Sequence, residues 1–230
     1  MRVVILQPSY IPWRGFFDLI RRADVFVFYD DVQYDKHGWR NRNRVKTASG
    51  STWLTIPVMA KGNVTGGTLV KDVGIAWTQD WAKKHLQTLR QSYGKAPCFG
   101  EYFEKLVPFF EKRPERLVDL TIPLTIEIAR WLDLPARFAR SSELGIEGTK
   151  TGRLVEIVKH FGGTEYLSGP SAKDYLEEGA FAEAGITLEY ASYKYPEYPQ
   201  LHPPYDPQVT ILDTLFMVGA AQTRALMVDA

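Results

Sequence analysis

The residues with the most chemical potential lie close to the N-terminus. In Gln7-Pro-Ser-Tyr-Ile-Pro-Trp-Arg-Gly15, two prolines stiffen a loop while Gln7, Ser9, Tyr10 and Trp13 supply hydrogen-bonding and stacking groups. From Lys36 to Lys46 the chain reads Lys-His-Gly-Trp-Arg-Asn-Arg-Asn-Arg-Val-Lys, five formal positive charges with no acid and one tryptophan. Arginine forks match phosphate geometry and tryptophan offers a stacking face. Lys36, Trp39, Arg40, Asn41, Arg42 and Arg44 therefore form a candidate anion site for a nucleotide, a nucleotide-linked sugar or an RNA end. A solvated edge strand accounts for the same pattern, because Arg40, Arg42 and Arg44 share one face of an extended segment and cationic residues protect sheet edges.

Between these stretches an apolar run ends in Asp30-Asp31-Val-Gln33, which places Asp30, Asp31 and Gln33 at the same sheet edge as the first loop. A carboxylate there can orient an amine, accept its proton or hold a hydroxyl, although paired aspartates after a strand are also turn formers and helix caps. His85, in Trp-Ala-Lys-Lys-His-Leu, falls on a helical pattern and is a candidate general base. Further along, Tyr166-Leu-Ser-Gly-Pro-Ser-Ala-Lys173 sets Ser168 and Lys173 around a strand-to-helix turn whose backbone N–H groups could receive an anion, or whose serines simply cap a helix. The stiff run Tyr193-Lys-Tyr-Pro-Glu-Tyr-Pro-Gln200 offers Tyr198 and Gln200 as the wall of a sugar or base pocket. Asp213, within an apolar helical segment, must pair with another group, for which an arginine is the natural candidate.

Several chemistries lack their signatures. The histidines at 37, 85, 160 and 202 and the lone Cys98 show no zinc-ligand spacing, so no metal is expected. Neither Gly-x-Gly-x-x-Gly, nor the phosphate-loop Gly-Lys-Ser/Thr, nor Gly-x-Ser-x-Gly occurs, and no cofactor is called for.

The elements that must position these residues alternate in type. Val3 to Leu6 and Val25 to Tyr29 read as buried strands flanking a helix from Gly15 to Arg22, the unit of a parallel sheet. Trp53 to Val58 reads as a strand and Gly62 to Gly67 as a turn or mobile loop. Trp77 to Tyr93, Glu101 to Lys112 and Leu120 to Leu132 carry helical spacing, with a break or kink expected at Pro123. The last third repeats the rhythm: helix from Arg153 to Phe161, strand from Glu165 to Leu167, helix from Lys173 to Ala184, strand from Thr187 to Tyr190. A Pro-rich loop from Tyr195 to Pro207 and a helix from Val209 to Met227 close the chain. The expected fold is α/β, a mostly parallel sheet flanked by helices, in a single domain over 1–230 with a helical insertion at about 76–135.

At 230 residues, 45% hydrophobic and 24% charged, the chain can bury a sizeable core. A formal net charge of +1 argues against a general nucleic-acid binder, so any anion site must be local. One cysteine, a first apolar run too short for a signal-peptide core and no bilayer-length apolar stretch lead to the expectation of a cytoplasmic protein without a membrane span.

The motifs Gln-Pro-x-Tyr-x-Pro-Trp-x-Gly, Tyr-Asp-Asp-Val-Gln-Tyr, Trp-x-Asn-Arg-Asn, Tyr-Leu-Ser-Gly and Tyr-Pro-Gln, in this order, resemble the WbqC-like family over nearly the whole chain. The resemblance implies a bacterial protein associated with surface-polysaccharide (O-antigen) biosynthesis and transfer of glycine or another acyl group to an amino sugar. Two positions depart from the family pattern: Tyr195 where it has a histidine, and the region of Met217 where it has an asparagine. The combined expectation is an acyl or aminoacyl transferase acting on a phosphate-bearing small molecule, with an activated acyl donor such as a thioester, an aminoacyl-tRNA or an adenylate. Asp31 would orient or deprotonate the amine, Gln7 and Asn41 would fix the acyl carbonyl, and Trp39 and Tyr10 would stack on base or sugar. A binding protein without chemistry and an assembly scaffold are the alternatives.

Overall fold

The computed structural model describes residues 1–36, 38–59 and 67–228, so nearly all of the Gly62 to Gly67 turn lies outside the described residues. Its centre is a five-stranded sheet of β1 (Arg2–Leu6), β2 (Val25–Phe28), β7 (Arg137–Arg140), β8 (Glu165–Ser168) and β9 (Thr187–Tyr190). The remaining strands, β3 (Arg42–Thr47) with β4 (Gly50–Thr55) and β5 (Val58–Met59) with β6 (Gly74–Ile75), form two antiparallel pairs. The central strands are continuous apolar runs because both faces are covered. Val4, Phe26, Phe28 and Leu167 pack into one core, while Val3, Ile5, Val25, Val27 and Tyr166 pack into another, following the two-residue period of a strand.

The first core lies under α1 (Arg14–Arg22) and three helices between β6 and β7: α2 (Trp81–Tyr93), α3 (Phe99–Glu111) and α4 (Leu117–Trp131). The second is covered by α5 (Lys150–His160) and α6 (Glu178–Glu183), and α7 (Ile211–Ala225) returns to the first.

The sheet order is β7-β2-β1-β8-β9, with every neighbouring pair parallel. The chain steps outward from β1 to β2 and β7, then crosses back over β1 to β8. That reversal is the topological switch point at which open α/β sheets bind ligands. The ladders of β1 with β2, β2 with β7 and β8 with β9 each contain four residue pairs. The β1–β8 ladder contains two, Arg2 with Glu165 and Val3 with Tyr166. Beyond them the C-terminal halves of β1 and β8 are not paired to each other.

Several expected boundaries shift for identifiable reasons. The Trp53 to Val58 strand divides at Pro57: β4 ends at Thr55, the Ile56 N–H still donates to the Asn41 carbonyl, and Val58 begins β5. α4 continues through Pro123, since its buried residues Leu117, Leu120, Ile122, Leu124 and Ile128 hold it against the core. The segment from Lys173 to Ala184 divides into a 3-10 turn at Pro170–Asp174 and the short α6. The closing helix is interrupted at Gly219, whose φ of 71° suits glycine, and the Ala220 N–H instead donates to the Tyr102 hydroxyl at 2.9 Å.

Candidate functional site: a crevice at the switch point

Where the β1–β8 ladder stops, a cavity of about 880 Å³ opens, within the range of small-molecule sites. Ile5, Leu6, Gln7 and Ser9 line it from the end of β1, and Tyr166, Ser168 and the Gly169–Ala172 turn from the end of β8. Phe16 and Leu19 of α1 contribute an apolar wall, and Trp13, Trp39, Arg40, Tyr29, Tyr175 and Tyr193 an aromatic and cationic one. The structure thus brings together Gln7, Ser9, Trp13, Trp39, Arg40 and Ser168 among the residues expected from sequence.

The loop after β1 is held rigidly. Ile11, a β-branched residue, has a φ of 41°, a conformation that persists only when its surroundings enforce it. Asn43 Nδ2 donates to the carbonyls of Tyr10 and Ile11 at 3.1 and 2.8 Å, Thr210 Oγ1 donates to the Ile11 carbonyl at 2.7 Å, and Tyr10 N donates to the Trp39 carbonyl. The Trp13 indole lies across Gly15, where a Cβ would meet the ring at 2.3 Å, so glycine is required there. Tyr193 packs edge-on against Trp13, with centroids 4.9 Å apart.

Arg40 is the cation of the crevice. Its Nη1 donates to the Gln7 carbonyl at 3.2 Å and to Ser9 Oγ at 2.7 Å, which fixes the guanidinium at the end of β1. Burial pulls its pKa down to about 10, leaving it charged at neutral pH. Its Nε and the Gln7 Oε1 are buried and have no hydrogen-bond partner among the described residues. Burial raises the Tyr29, Tyr166, Tyr175 and Tyr193 hydroxyls above the ordinary phenol range, the last to about 12, so all are neutral donors at neutral pH. No histidine or carboxylate lines the cavity among the described residues.

The aspartates occupy the neighbouring strand ends with every bond spoken for. Asp30 is fully buried and accepts from Arg140 Nη2 at 2.6 Å, Ser142 N at 3.1 Å and Ser142 Oγ at 3.0 Å. Asp31 accepts from Ser141 Oγ at 2.6 Å and Arg153 Nη2 at 2.5 Å. Burial pushes the Asp31 carboxyl up, but the bonds from Arg153 and Ser141 overcome it and leave the pKa below the ordinary carboxylate value. Asp31 connects to the cavity at one remove, because the Arg153 guanidinium also stacks 5.2 Å from the ring centroid of Tyr29, a cavity residue.

The other expected residues lie elsewhere. Tyr10 is wholly buried and shares a 2.9 Å hydrogen bond with His85 Nδ1, within an aromatic cluster that includes Trp81 and Phe110. Burial pulls His85 down to about 4, so its imidazole is neutral at neutral pH. Asn41 Nδ2 donates to the Ile56 carbonyl at 2.8 Å, and Gln33 and Lys36 are exposed, Gln33 bridging Leu69. Arg42 lies over the Trp53 ring at 4.6 Å, Arg44 donates to the Gln208 carbonyl, and Lys173 sits over the Tyr190 ring. Among the described residues Asp213 is not paired with an arginine. The hydroxyls of Tyr93 and Tyr198 donate to it at 2.8 Å each and Gln200 Nε2 at 3.1 Å, and burial raises its pKa.

Sequence reasoning passed over Tyr29, Asn43, Tyr175 and Arg153. Tyr29, the aromatic end of an apolar run before two aspartates, and Asn43, the last residue of Trp-x-Asn-Arg-Asn, carried local signals. The others gain their roles from contacts distant in sequence.

The family model of the WbqC-like protein family matches residues 7–225. The protein described as "Uncharacterized protein Rv1507c" of Mycobacterium tuberculosis (strain ATCC 25618 / H37Rv) is 41% identical over 221 residues, covering 95% of this chain and 94% of that one. No solved structure matches the chain. No helix among the described residues is long and apolar enough to cross a membrane.

Proposed function

We propose, from the premise that this chain belongs to the WbqC-like protein family, that its crevice binds a phosphate-bearing amino sugar carried on a nucleotide and transfers an activated acyl or aminoacyl group to the sugar's amine. The observation that supports this reading is the pair of buried, unpartnered polar atoms, Arg40 Nε and Gln7 Oε1, at the open end of the β1–β8 ladder. Tyr34, Asn41, Arg42, Trp81, Thr121 and Thr125 also carry such atoms, but only those of Arg40 and Gln7 belong to residues that line the crevice, where a ligand or an ordered water can complete them. An arginine held by its other nitrogen is a preorganised phosphate donor, and an amide oxygen is an acceptor for an amine N–H.

In the transfer, the amine nitrogen attacks the acyl carbonyl and a C–N bond forms. The donor's C–S or C–O bond breaks, and the amine's proton leaves with the thiol or hydroxyl. Gln7 orients the amine, Arg40 holds the phosphate and the apolar wall excludes water. Asp31 is a positioning residue in this scheme, acting on Tyr29 through Arg153. The activity fits surface-polysaccharide or related biosynthesis, with a thioester or aminoacyl-tRNA as donor.

The test is incubation of the purified protein with nucleotide-linked amino sugars and a panel of acyl-coenzyme A and aminoacyl-tRNA donors, followed by mass spectrometry of the sugar. An N-acylated product, reduced at least tenfold by Arg40→Ala, is expected. A second reading is favoured by the lack of any histidine or carboxylate among the described lining residues: a nucleotide-sugar binding protein without chemistry of its own. Tight binding of the sugar with no product from any donor would establish it and overturn the transferase.

A further inference from the structure

Trp39 and Trp53 are unusual tryptophans for a folded protein surface. Each is 44% exposed, and their ring centroids lie 5.2 Å apart with the planes inclined by 40°, so the two indoles form an exposed aromatic platform of two inclined faces. Neighbouring geometry holds the platform in place. Trp53 stands on β4 opposite Arg44 of β3, and the Arg42 guanidinium stacks on its ring at 4.6 Å. Trp39 belongs to both regions, since it also lines the crevice beside Arg40. Arg42 already engages the Trp53 ring, so the aromatic face left for a planar ligand at the cavity is that of Trp39.

Three properties of this face restrict its occupant. It is π-rich, and the exposed Trp39 ring suits a planar group; Arg40 lines the crevice beside that ring, which suits an anionic attachment; and it continues into a cavity whose inner wall carries amide, hydroxyl and apolar groups. A sugar phosphate satisfies the cavity and Arg40 but leaves the platform bare, whereas a nucleoside diphosphate satisfies all three.

We infer that the Trp39–Trp53 platform is the nucleobase site of the crevice ligand, so that the base stacks on Trp39 at the mouth, the phosphates meet Arg40, and the attached group points inward to Gln7 and Tyr29. This rests on the reading of the crevice as a phosphate-bearing ligand's site. It also fixes the ligand's direction: the end that reacts lies deepest, at the ends of β1 and β8. Stacking reads any base tolerantly, so discrimination between uridine and adenosine diphosphates is expected to be modest.

Calorimetric titration of the full-length protein tests the inference, with uridine diphosphate, adenosine diphosphate, ribose 5-phosphate and a short single-stranded RNA as probes. Both nucleoside diphosphates should bind at least tenfold more tightly than ribose 5-phosphate. Trp39→Ala should remove about tenfold of that advantage and weaken ribose 5-phosphate far less than either nucleotide, while Trp39→Phe restores most of the loss. If nucleoside diphosphates and ribose 5-phosphate bind equally, and both depend on Arg40, the platform has no base to hold; the inference falls and the crevice reading stands. If no phosphate-bearing probe binds, both fall together. An RNA that binds more than tenfold more tightly than either nucleotide, with steep salt dependence, would assign the platform to a nucleic-acid end and overturn the inference.

Discussion

Two polar clusters sit at neighbouring strand ends of one sheet edge, and they differ in whether their bonds are complete. At the ends of β2 and β7, Asp30 and Asp31 are met by Arg140, Ser141, Ser142 and Arg153, in a closed network that crosses more than a hundred residues of sequence. At the ends of β1 and β8, Arg40 Nε and Gln7 Oε1 are buried and unpartnered among the described residues, beside an open cavity. Residue type alone points to the aspartates as the chemistry. Bond completion points to the crevice, because a carboxylate already given several charge-assisted donors has little capacity left for a substrate. The saturated cluster ties β7 and α5 to their neighbours in the sheet, and the unsaturated one is where the proposed ligand would bind.

The largest effect expected from this contrast is on stability. Asp30→Ala removes the centre of a buried network and leaves Arg140 only the exposed Glu143 at 3.8 Å, so urea unfolding should show a loss of about 3 kcal/mol. A loss below 1 kcal/mol would mean that the cluster is not a structural tie. A comparable effect is expected at the buried Tyr10–His85 pair, which belongs with the saturated group. Because burial holds His85 near 4, well below the ordinary 6.5, the unfolded chain takes up a proton before the folded one does. Stability from this residue is complete above about pH 6.5 and falls as the pH drops toward 4, by about 3 kcal/mol in all. His85→Gln should flatten the unfolding free energy over that window, and an unchanged slope would assign the pH dependence elsewhere.

Arg40→Ala should act in the opposite sense to Asp30→Ala. Loss of a charge-assisted bond predicts roughly 10- to 100-fold weaker binding of a nucleotide-linked sugar by calorimetry, with stability altered by only about 1 kcal/mol. Gln7→Ala should weaken the same binding by several-fold through one neutral hydrogen bond. The smallest effect is at Asp31, whose lowered pKa contributes stability that is present above its ordinary value of 3.8 and lost as the pH falls below it. Asp31→Asn should remove that acid-limb dependence, and retention of the full dependence would contradict the pairing with Arg153.

The sheet and the loop after β1 were legible in the sequence because their signals are local. Val3 to Leu6 and Val25 to Phe28 are uninterrupted apolar runs, as strands covered on both faces must be. The loop announced itself through Pro8, Pro12 and its clustered polar and aromatic residues. Arg40, Arg42 and Arg44 were visible as a charged, extended run, but their partners were not. Arg40 turns to the end of β1, Arg42 to Trp53, and Arg44 to Gln208, more than 160 residues away. The alternation of charge could not separate those fates. The partners of Asp30 and Asp31 were hidden for the same reason, since Arg140, Ser141 and Ser142 come from β7 and the turn beyond it, and Arg153 from α5. The helix through Pro123 shows burial overriding a local propensity of about 3 kcal/mol. Strand order, which creates the switch point, has no local signature at all.

The measurement that bears most directly on the contrast is amide hydrogen exchange with and without a saturating nucleotide-linked amino sugar. The crevice account predicts new protection in residues 7–13 and 166–172, with residues 140–142 and the Asp30–Asp31 peptide unchanged. Protection confined to the aspartate cluster, with the loop after β1 exchanging as before, would contradict it.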